Sequence, residues 1–280
     1  MRVPDTIRKC VLYLGVESGE GEASKVAWRG TCFFVSLAID RQPFSFIYLV
    51  TAKHCADQLQ DKKAYLRVNS QTGDFLQVQI NKGEIKWFFH PTDKAADVAI
   101  APLGASQKIV DYLPLPSGIL LTESVRLTKD IGVGDEVFIV GLFVHHVGTS
   151  KNIPIIRTGN IAMTPDERIH TNYGDMEAYL IESRSIGGLS GSPVFVFEHT
   201  EVGKSIAHLL GLIHGHWDCA PESIFDQTSE DIGIQARLNM GIAIVTPASK
   251  ILDIINCEEL TNIRNKSIAE RKSKNSPAPN

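Results

Sequence analysis

The sequence has no long apolar run, no basic cluster and no paired cysteine pattern, and each absence excludes a class of protein. No stretch approaches the roughly 20 apolar residues of a membrane-spanning helix, and the apolar patch at residues 11–16 is too short for a signal-peptide core. With 28 basic against 32 acidic residues, the formal charge is −4, which disfavours non-specific nucleic-acid binding. We therefore expect a cytoplasmic protein with neither a membrane nor a nucleic-acid partner.

Cysteine usage agrees with that expectation. The five cysteines are an odd number and are widely scattered, so they do not form a disulfide framework. Buried free thiols are the simplest interpretation.

The pattern of the 280 residues is rich in strands. Short apolar, β-branched and aromatic runs are broken by clusters of Gly, Pro, Asn or Asp. One series of such runs begins at Val11–Val16, and a second extends from Ser124–Leu127 to Met240–Val245. A less regular stretch, about residues 103–122, separates them as a linker. We expect an N-terminal domain at 1–118 and a C-terminal domain at 119–260.

Only one segment has convincing helical features. Thr246 can cap a helix, Pro247 suits its first turn, and an apolar stripe follows to Asn256. The polar remainder, 261–280, is expected to be a disordered tail.

A serine among glycines marks a candidate for chemistry. In Gly188-Leu189-Ser190-Gly191-Ser192-Pro193, the glycines allow a sharp turn that presents the Ser190 hydroxyl. Successive backbone N–H groups of such a turn can stabilise a developing oxyanion. Serine is a weak nucleophile at neutral pH, so it needs a base beside it.

Two other segments supply the groups that a serine nucleophile requires. An apolar run ends at His54, whose imidazole can act as a general base. Asp97 stands directly before the apolar run Val98–Ala101, where a shielded carboxylate can orient an imidazole. Each signal is weak alone. Together, however, the three residues occur in the order His…Asp…Ser, and each lies at a strand edge, which argues against coincidence.

Four motifs make the chain resemble the trypsin-like (chymotrypsin-fold) serine peptidases, in particular their disulfide-poor bacterial branch. The motifs are GTCFFV (Gly30–Val35), LVTAKHC (Leu49–Cys55), DVAI (Asp97–Ile100) and GLSGSPVF (Gly188–Phe195). The resemblance implies an all-β fold of two antiparallel six-stranded β-barrels with a short C-terminal helix.

The resemblance also implies a role for each site residue. His54 would be the general base and then the general acid, Asp97 its orienting carboxylate, and Ser190 the nucleophile. The backbone N–H groups of Gly188 and Ser190 would form the oxyanion hole. No cofactor and no metal are expected.

Some positions depart from the family pattern. Cys32 and Cys55 would be neighbours, so a bridge between them is an alternative to two reduced thiols. Leu189 replaces the acidic residue that pairs with a freed N-terminus in trypsin-like zymogens. We therefore expect any activation to order the Ser185–Leu189 loop through a substrate or a protein partner.

Substrate specificity is expected to depend on one strand and one arginine. The strand residues Ile213, His214, Gly215 and His216 would pair with an extended polypeptide and wall its primary pocket. Arg184 would stand at the pocket base, where a cation, with His214 or His216 nearby, favours an acidic side chain. The alternative is that Arg184 faces solvent and the histidines only satisfy loop hydrogen bonds.

The sequence thus predicts a serine endopeptidase that acts through an acyl-enzyme, with acidic preference before the scissile bond. The alternative is a catalytically silent peptide-binding or assembly module on the same fold.

Overall fold

Strands form where the sequence alternates β-branched and aromatic runs with turn residues. The computed structural model describes residues 3–18, 25–59, 62–171, 173–183, 187–199, 205–219 and 238–275. The first half contains strands β1 (Val11–Ser18), β2 (Lys25–Ala38), β3 (Ser45–Thr51), β4 (Ala64–Asn69), β5 (Phe75–Ile80), β6 (Phe88–Phe89), β7 (Ala99–Ala101) and β8 (Leu115–Pro116), and helix α1 (Lys53–Asp57). Among the described residues, 3₁₀ segments lie at Asp5–Cys10 and Ser117–Ile119.

The described residues of the second half add eight further strands and three helices. They are α2 (Glu123–Thr128), β9 (Glu136–Gly141), β10 (Ile155–Met163), β11 (Ile169–Thr171), β12 (Gly174–Met176), β13 (Tyr179–Glu182), β14 (Pro193–His199), β15 (Ser205–Cys219), β16 (Leu238–Pro247), α3 (Ala248–Ile255) and α4 (Glu258–Asn275). The all-β class is therefore confirmed. No helix in the described ranges is both long and apolar enough to cross a membrane.

The two halves form two sheets with different closure. The second closes as a six-stranded barrel in the order β10-β13-β16-β15-β14-β9. The first is an eight-stranded sheet in the order β5-β4-β1-β2-β3-β7-β6, with β8 parallel to β2. Large apolar side chains fill the interiors; for example, Phe138 and Phe195 stack at 4.8 Å between ring centroids. This burial is the main stabilising contribution.

Residues 124–127, expected as a strand, are helical in the structure. Thr122 caps helix α2, its Oγ1 accepting from the N–H of Val125 at 3.3 Å. Glu123 and Arg126 form an (i, i+3) ion pair on the same helix. The apolar residues Val125 and Leu127 suggested a strand, but the cap and the charge spacing are those of a helix.

The C-terminal region also differs from the expectation. Helix α3 begins after Pro247, which is its N-cap residue, and not at a Thr246 side-chain cap. The segment expected to be disordered from residue 261 is helix α4 as far as Asn275. Buried Arg264 anchors that helix, donating to Tyr48 Oη at 2.9 Å and to the carbonyl of Ile255.

A buried arginine joins the two halves of the molecule. Arg67 on β4 is 2% exposed and donates to the carbonyls of Val147 and Gly148, both at 2.7 Å. It also donates to Asn152 Oδ1 at 3.0 Å. Since all three acceptors lie between β9 and β10, this guanidinium fixes a loop of the barrel against the first sheet.

We expect Arg67→Met to lower the free energy of unfolding by about 3 kcal/mol, because it leaves buried acceptors without their charged donor. Urea unfolding followed by circular dichroism measures this. Exposed Arg29→Met is the matched control and should change stability by less than about 0.5 kcal/mol. Equal effects of the two substitutions would show that the arginine does not join the halves.

Candidate active site

The pairing of β3 with β7 brings His54 and Asp97 together. The register places Thr51 opposite Ala99 in this antiparallel pair. Continuing the two chains beyond that pair puts the residues after Thr51 opposite those before Ala99. His54, in the first turn of α1, and Asp97 therefore meet at the same sheet edge.

Two hydrogen bonds hold the pair in one geometry. His54 Nδ1 lies 2.7 Å from Asp97 Oδ2, and the backbone N–H of His54 donates to Oδ1 at 2.9 Å. The Asp97 side chain is only 4% exposed, while that of His54 is 19% exposed. The carboxylate thus fixes the orientation of a ring that still reaches the solvent.

Burial and hydrogen bonding act in opposite directions on this pair. Burial alone would raise the pKa of the Asp97 carboxyl, but hydrogen bonds from His214 and His54 hold that pKa well below its usual range. Burial alone would lower the pKa of His54, but the hydrogen bond to Asp97 raises it above its ordinary value. An ionised carboxylate only accepts hydrogen bonds, so the proton of each ring lies on Nδ1.

Ser190 lies in a turn that packs against the first sheet. Gly191 has φ +80°, and a Cβ atom there would lie 2.2 Å from the carbonyl oxygen of Thr31, so only glycine fits. The N–H of Thr31 donates to the Ser190 carbonyl at 2.9 Å, and its Oγ1 donates to the Gly188 carbonyl at 2.9 Å. Thr31 therefore fixes the serine turn beside the end of β3, which leads to His54.

The Ser190 hydroxyl donates to the carbonyl of His214 at 3.4 Å. Its described hydrogen bond is thus to this carbonyl and not to His54. The backbone N–H groups of Gly188 and Ser190 have no acceptor among the described residues. Gly188 has φ +94°, a conformation that favours glycine.

The predicted substrate strand extends beyond its described pairing with β14. Pairing of β14 with β15 ends at Pro193–Leu212, whereas β16 continues opposite Gly215 and His216. A Cβ atom at Gly215 would meet nothing within 4 Å. Ile213, the residue before this segment, is fully buried in the barrel.

His214 does not have the pocket position expected from the sequence. Its Nδ1 lies 2.6 Å from Asp97 Oδ2, and its side chain is 6% exposed. A register irregularity between Ile213 and Gly215 marks a bulge at this residue, which turns the ring towards the carboxylate. The geometry therefore supports a contact of His214 with Asp97, and not a role of His214 in binding an acidic substrate side chain.

Several sequence predictions fall on residues that the structure does not describe. Arg184 lies outside the described residues, as do Ser185 and Ile186 of the expected activation loop. Leu189, at the other end of that loop, is fully buried in the barrel core. Cys32 and Cys55 are free thiols in the structure, and no disulfide joins them.

Tyr173 is a site residue that the sequence analysis missed. Its ring centroid lies 6.0 Å from that of His54 and 5.0 Å from that of His214. The side chain is 58% exposed and belongs to the turn between β11 and β12. No local motif marks this tyrosine, because only the hairpin's position across the cleft brings it to the imidazoles.

The same side chains have the donor types of a metal site. The ligand atoms of His54, Asp97 and His214 all lie within 4.8 Å of one another. Two imidazoles and a carboxylate can bind Zn²⁺. Here, however, each Nδ1 is engaged with the same carboxylate oxygen, so hydrogen bonds account for the arrangement.

Asp97→Asn should make stability less dependent on pH. Because the pKa of Asp97 is depressed in the folded state, its ionised carboxylate stabilises the fold above about pH 4, and this contribution is lost as the pH falls. Because the pKa of His54 is raised in the folded state, its protonated ring stabilises the fold below about pH 6.5, and this contribution is lost as the pH rises through the folded-state pKa. Between those values we expect the wild type to exceed Asp97→Asn by about 3 kcal/mol in free energy of unfolding. Urea midpoints from pH 3 to 9 measure this.

The control for that experiment is Asp111→Asn. Asp111 pairs with Lys9 at 2.9 Å, but both side chains are partly exposed. Its loss should change stability by at most about 1 kcal/mol. A constant difference between wild type and Asp97→Asn across the pH range would exclude a charge-coupled pair at the site.

Comparison with solved structures identifies the fold. The MamO protease domain from Magnetospirillum magneticum (apo form) matches with a TM-score of 0.51 at 13% identity, over 89% of this chain and 96% of that one. Deg5 matches with a TM-score of 0.45 at 15% identity, over 75% and 80% of the two chains. No family model and no curated protein matches the sequence. With the arrangement of its strands, the chain thus has the fold of a trypsin-like protease domain.

Proposed function

We propose that this protein is a serine endopeptidase that hydrolyses peptide bonds through an acyl-enzyme. The observation that carries the proposal is the pair of hydrogen bonds between His54 and Asp97, at 2.7 and 2.9 Å, beside the turn that holds Ser190. Because Nδ1 of His54 carries its proton towards Asp97, the lone pair of neutral His54 is on Nε2. That nitrogen is the base that a serine hydroxyl needs.

The reaction then follows from the proton positions. Ser190 Oγ attacks the substrate carbonyl carbon as His54 Nε2 accepts the hydroxyl proton. His54 gives that proton to the leaving amine, which breaks the peptide bond and leaves the acyl group on Ser190. Water, deprotonated by His54, attacks the ester, and the serine regains its proton as the acid product leaves. A rotation of the Ser190 side chain from the His214 carbonyl towards His54 precedes the first step.

The N–H groups of Gly188 and Ser190 would stabilise the tetrahedral intermediate. Neither of them donates to a described residue, which supports this role. Fixed backbone donors need no reorganisation during the reaction. The loss of one such donor typically lowers kcat about a hundredfold or more.

An extended polypeptide would bind along the strand at Ile213–His216, next to the turn that holds Ser190. Backbone groups on that strand can pair with the substrate as an added strand. A preference for an acidic side chain would rest on Arg184 and His216, because the His214 ring is engaged with Asp97.

Cleavage of a peptide library tests this preference. A majority of uncharged or basic residues before the cleaved bond would contradict the proposed acidic preference.

A reducing, cytoplasmic location is consistent with the state of the thiols. Cys10, Cys32, Cys55 and Cys257 are all free, and the first three are buried. The compartment that favours such thiols is the cytosol. We also propose that a protein partner or the substrate could activate the enzyme, by ordering the loop that precedes Ser190.

The second candidate is a silent peptide-binding module. The observation in its favour is that the Ser190 hydroxyl donates to the His214 carbonyl and not to His54. A module of this kind would bind peptides along the same strand but would not react with a serine-directed probe.

A fluorophosphonate probe separates the two candidates. We expect labelling of the wild type, and Ser190→Ala should abolish labelling and lower peptidase kcat at least about a thousandfold. The matched control is Ser192→Ala in the same turn: Ser192 is fully buried and its Oγ has no described partner, so labelling should persist. A folded wild type that binds peptide but resists the probe would instead support the silent module.

A further inference from the structure

One oxygen of the buried Asp97 carboxylate serves two histidines. His54 Nδ1 lies 2.7 Å and His214 Nδ1 2.6 Å from the same Oδ2. The other oxygen, Oδ1, already accepts the His54 backbone N–H at 2.9 Å. Three N–H donors therefore satisfy a carboxylate that is almost completely removed from water.

The ring geometry allows both bonds at once. The planes of the His54 and His214 rings are inclined at 86°, and their centroids are 5.7 Å apart. A carboxylate oxygen has two lone pairs, so Oδ2 can accept from both N–H groups. Hydrogen bonds to an ionised acceptor are about twice as strong as neutral ones, so each imidazole is firmly oriented.

The backbone around His214 is built to aim its ring in this way. On β15, Ile213 pairs with Val245 and Gly215 pairs with Ile244, which leaves His214 as the extra residue of a bulge. Bulges redirect side chains and are frequent beside active sites. The same residue also contacts the nucleophile, since its carbonyl accepts from Ser190 Oγ at 3.4 Å.

We propose that His214 is a positioning residue which shares the Asp97 carboxylate with His54 and thereby sets how strongly Asp97 holds the His54 proton. The catalytic part of this proposal rests on the proposed peptidase function; the sharing itself does not. The titratable groups that face His214 among the described residues are Asp97, His54 and Tyr173, whose ring is 5.0 Å away.

Sharing has a definite direction of effect. A donor from His214 stabilises the Asp97 anion and leaves it a weaker attractor for a proton on His54. Removal of that donor makes the carboxylate more basic, which favours protonated His54. Since the general base must be neutral, the acid limb of the pH–rate profile should then move to higher pH.

Two variants of nearly equal shape separate the hydrogen bond from packing. His214→Asn keeps an amide N–H near the position of Nδ1, whereas His214→Leu fills similar space without a donor. We expect the midpoint of the acid limb of kcat/KM to lie about one pH unit higher in His214→Leu than in His214→Asn. Equal midpoints in the two variants would reduce His214 to a packing residue and overturn the proposal.

Proton NMR of the ¹⁵N-histidine-labelled full chain tests the sharing without any need for activity. At neutral pH the wild type should show two low-field Nδ1–H resonances, one from each ring. Both His214 variants should lose one resonance and keep that of His54. A single resonance in the wild type, or two in the variants, would contradict the shared carboxylate.

His208→Asn is the matched control on the same strand. His208 pairs with Glu198 at 2.8 Å, away from Asp97, so its loss should leave both resonances and the acid limb unchanged. If the wild type proves inactive, the His54 midpoint is read from the NMR titration of the same variants. Failure of the peptidase function and failure of the sharing therefore give different results.

Discussion

A carboxylate with 4% of its side chain exposed needs hydrogen-bond donors, and the donors of Asp97 define the cleft. A buried charge without partners is strongly destabilising. Asp97 receives one N–H from the His54 backbone and one from each of two imidazoles. Satisfying this single group therefore orients the candidate base, turns the bulged strand towards the cleft and fixes the tautomers on which the proposed chemistry depends.

The serine side of the cleft is held by contacts between the two halves. Thr31 on the first sheet binds the carbonyls of Gly188 and Ser190, and its Oγ1 accepts from the N–H of Leu142 in the barrel half. Gly191 permits the close approach because any Cβ atom would collide with the Thr31 carbonyl. The nucleophile candidate is thus positioned by backbone contacts, and only its hydroxyl rotation remains variable. This division suits a site in which the base is held rigidly and the serine side chain rotates before it reacts.

Much of the fold and part of the site could be predicted from local patterns. Alternating apolar runs predicted the strands, and the glycines around Ser190 predicted a sharp turn. The helix at 124–127 was missed although the Thr122 cap and the spacing of Glu123 and Arg126 are local signals. The helix at 261–275 has weak local signals, and its contact through Arg264 with Tyr48 appears only in the folded chain.

The sequence by itself determined which side chains were available: an imidazole at the end of one strand, a carboxylate before another, and a hydroxyl among glycines. Residue type and strand periodicity are local properties, so they can be recognised without coordinates. Only the tertiary structure decided that His214 turns to Asp97 and that the Tyr173 ring lies near both imidazoles. A bulge and a hairpin crossing are consequences of strand register and long-range packing, and no short stretch of sequence encodes those by itself.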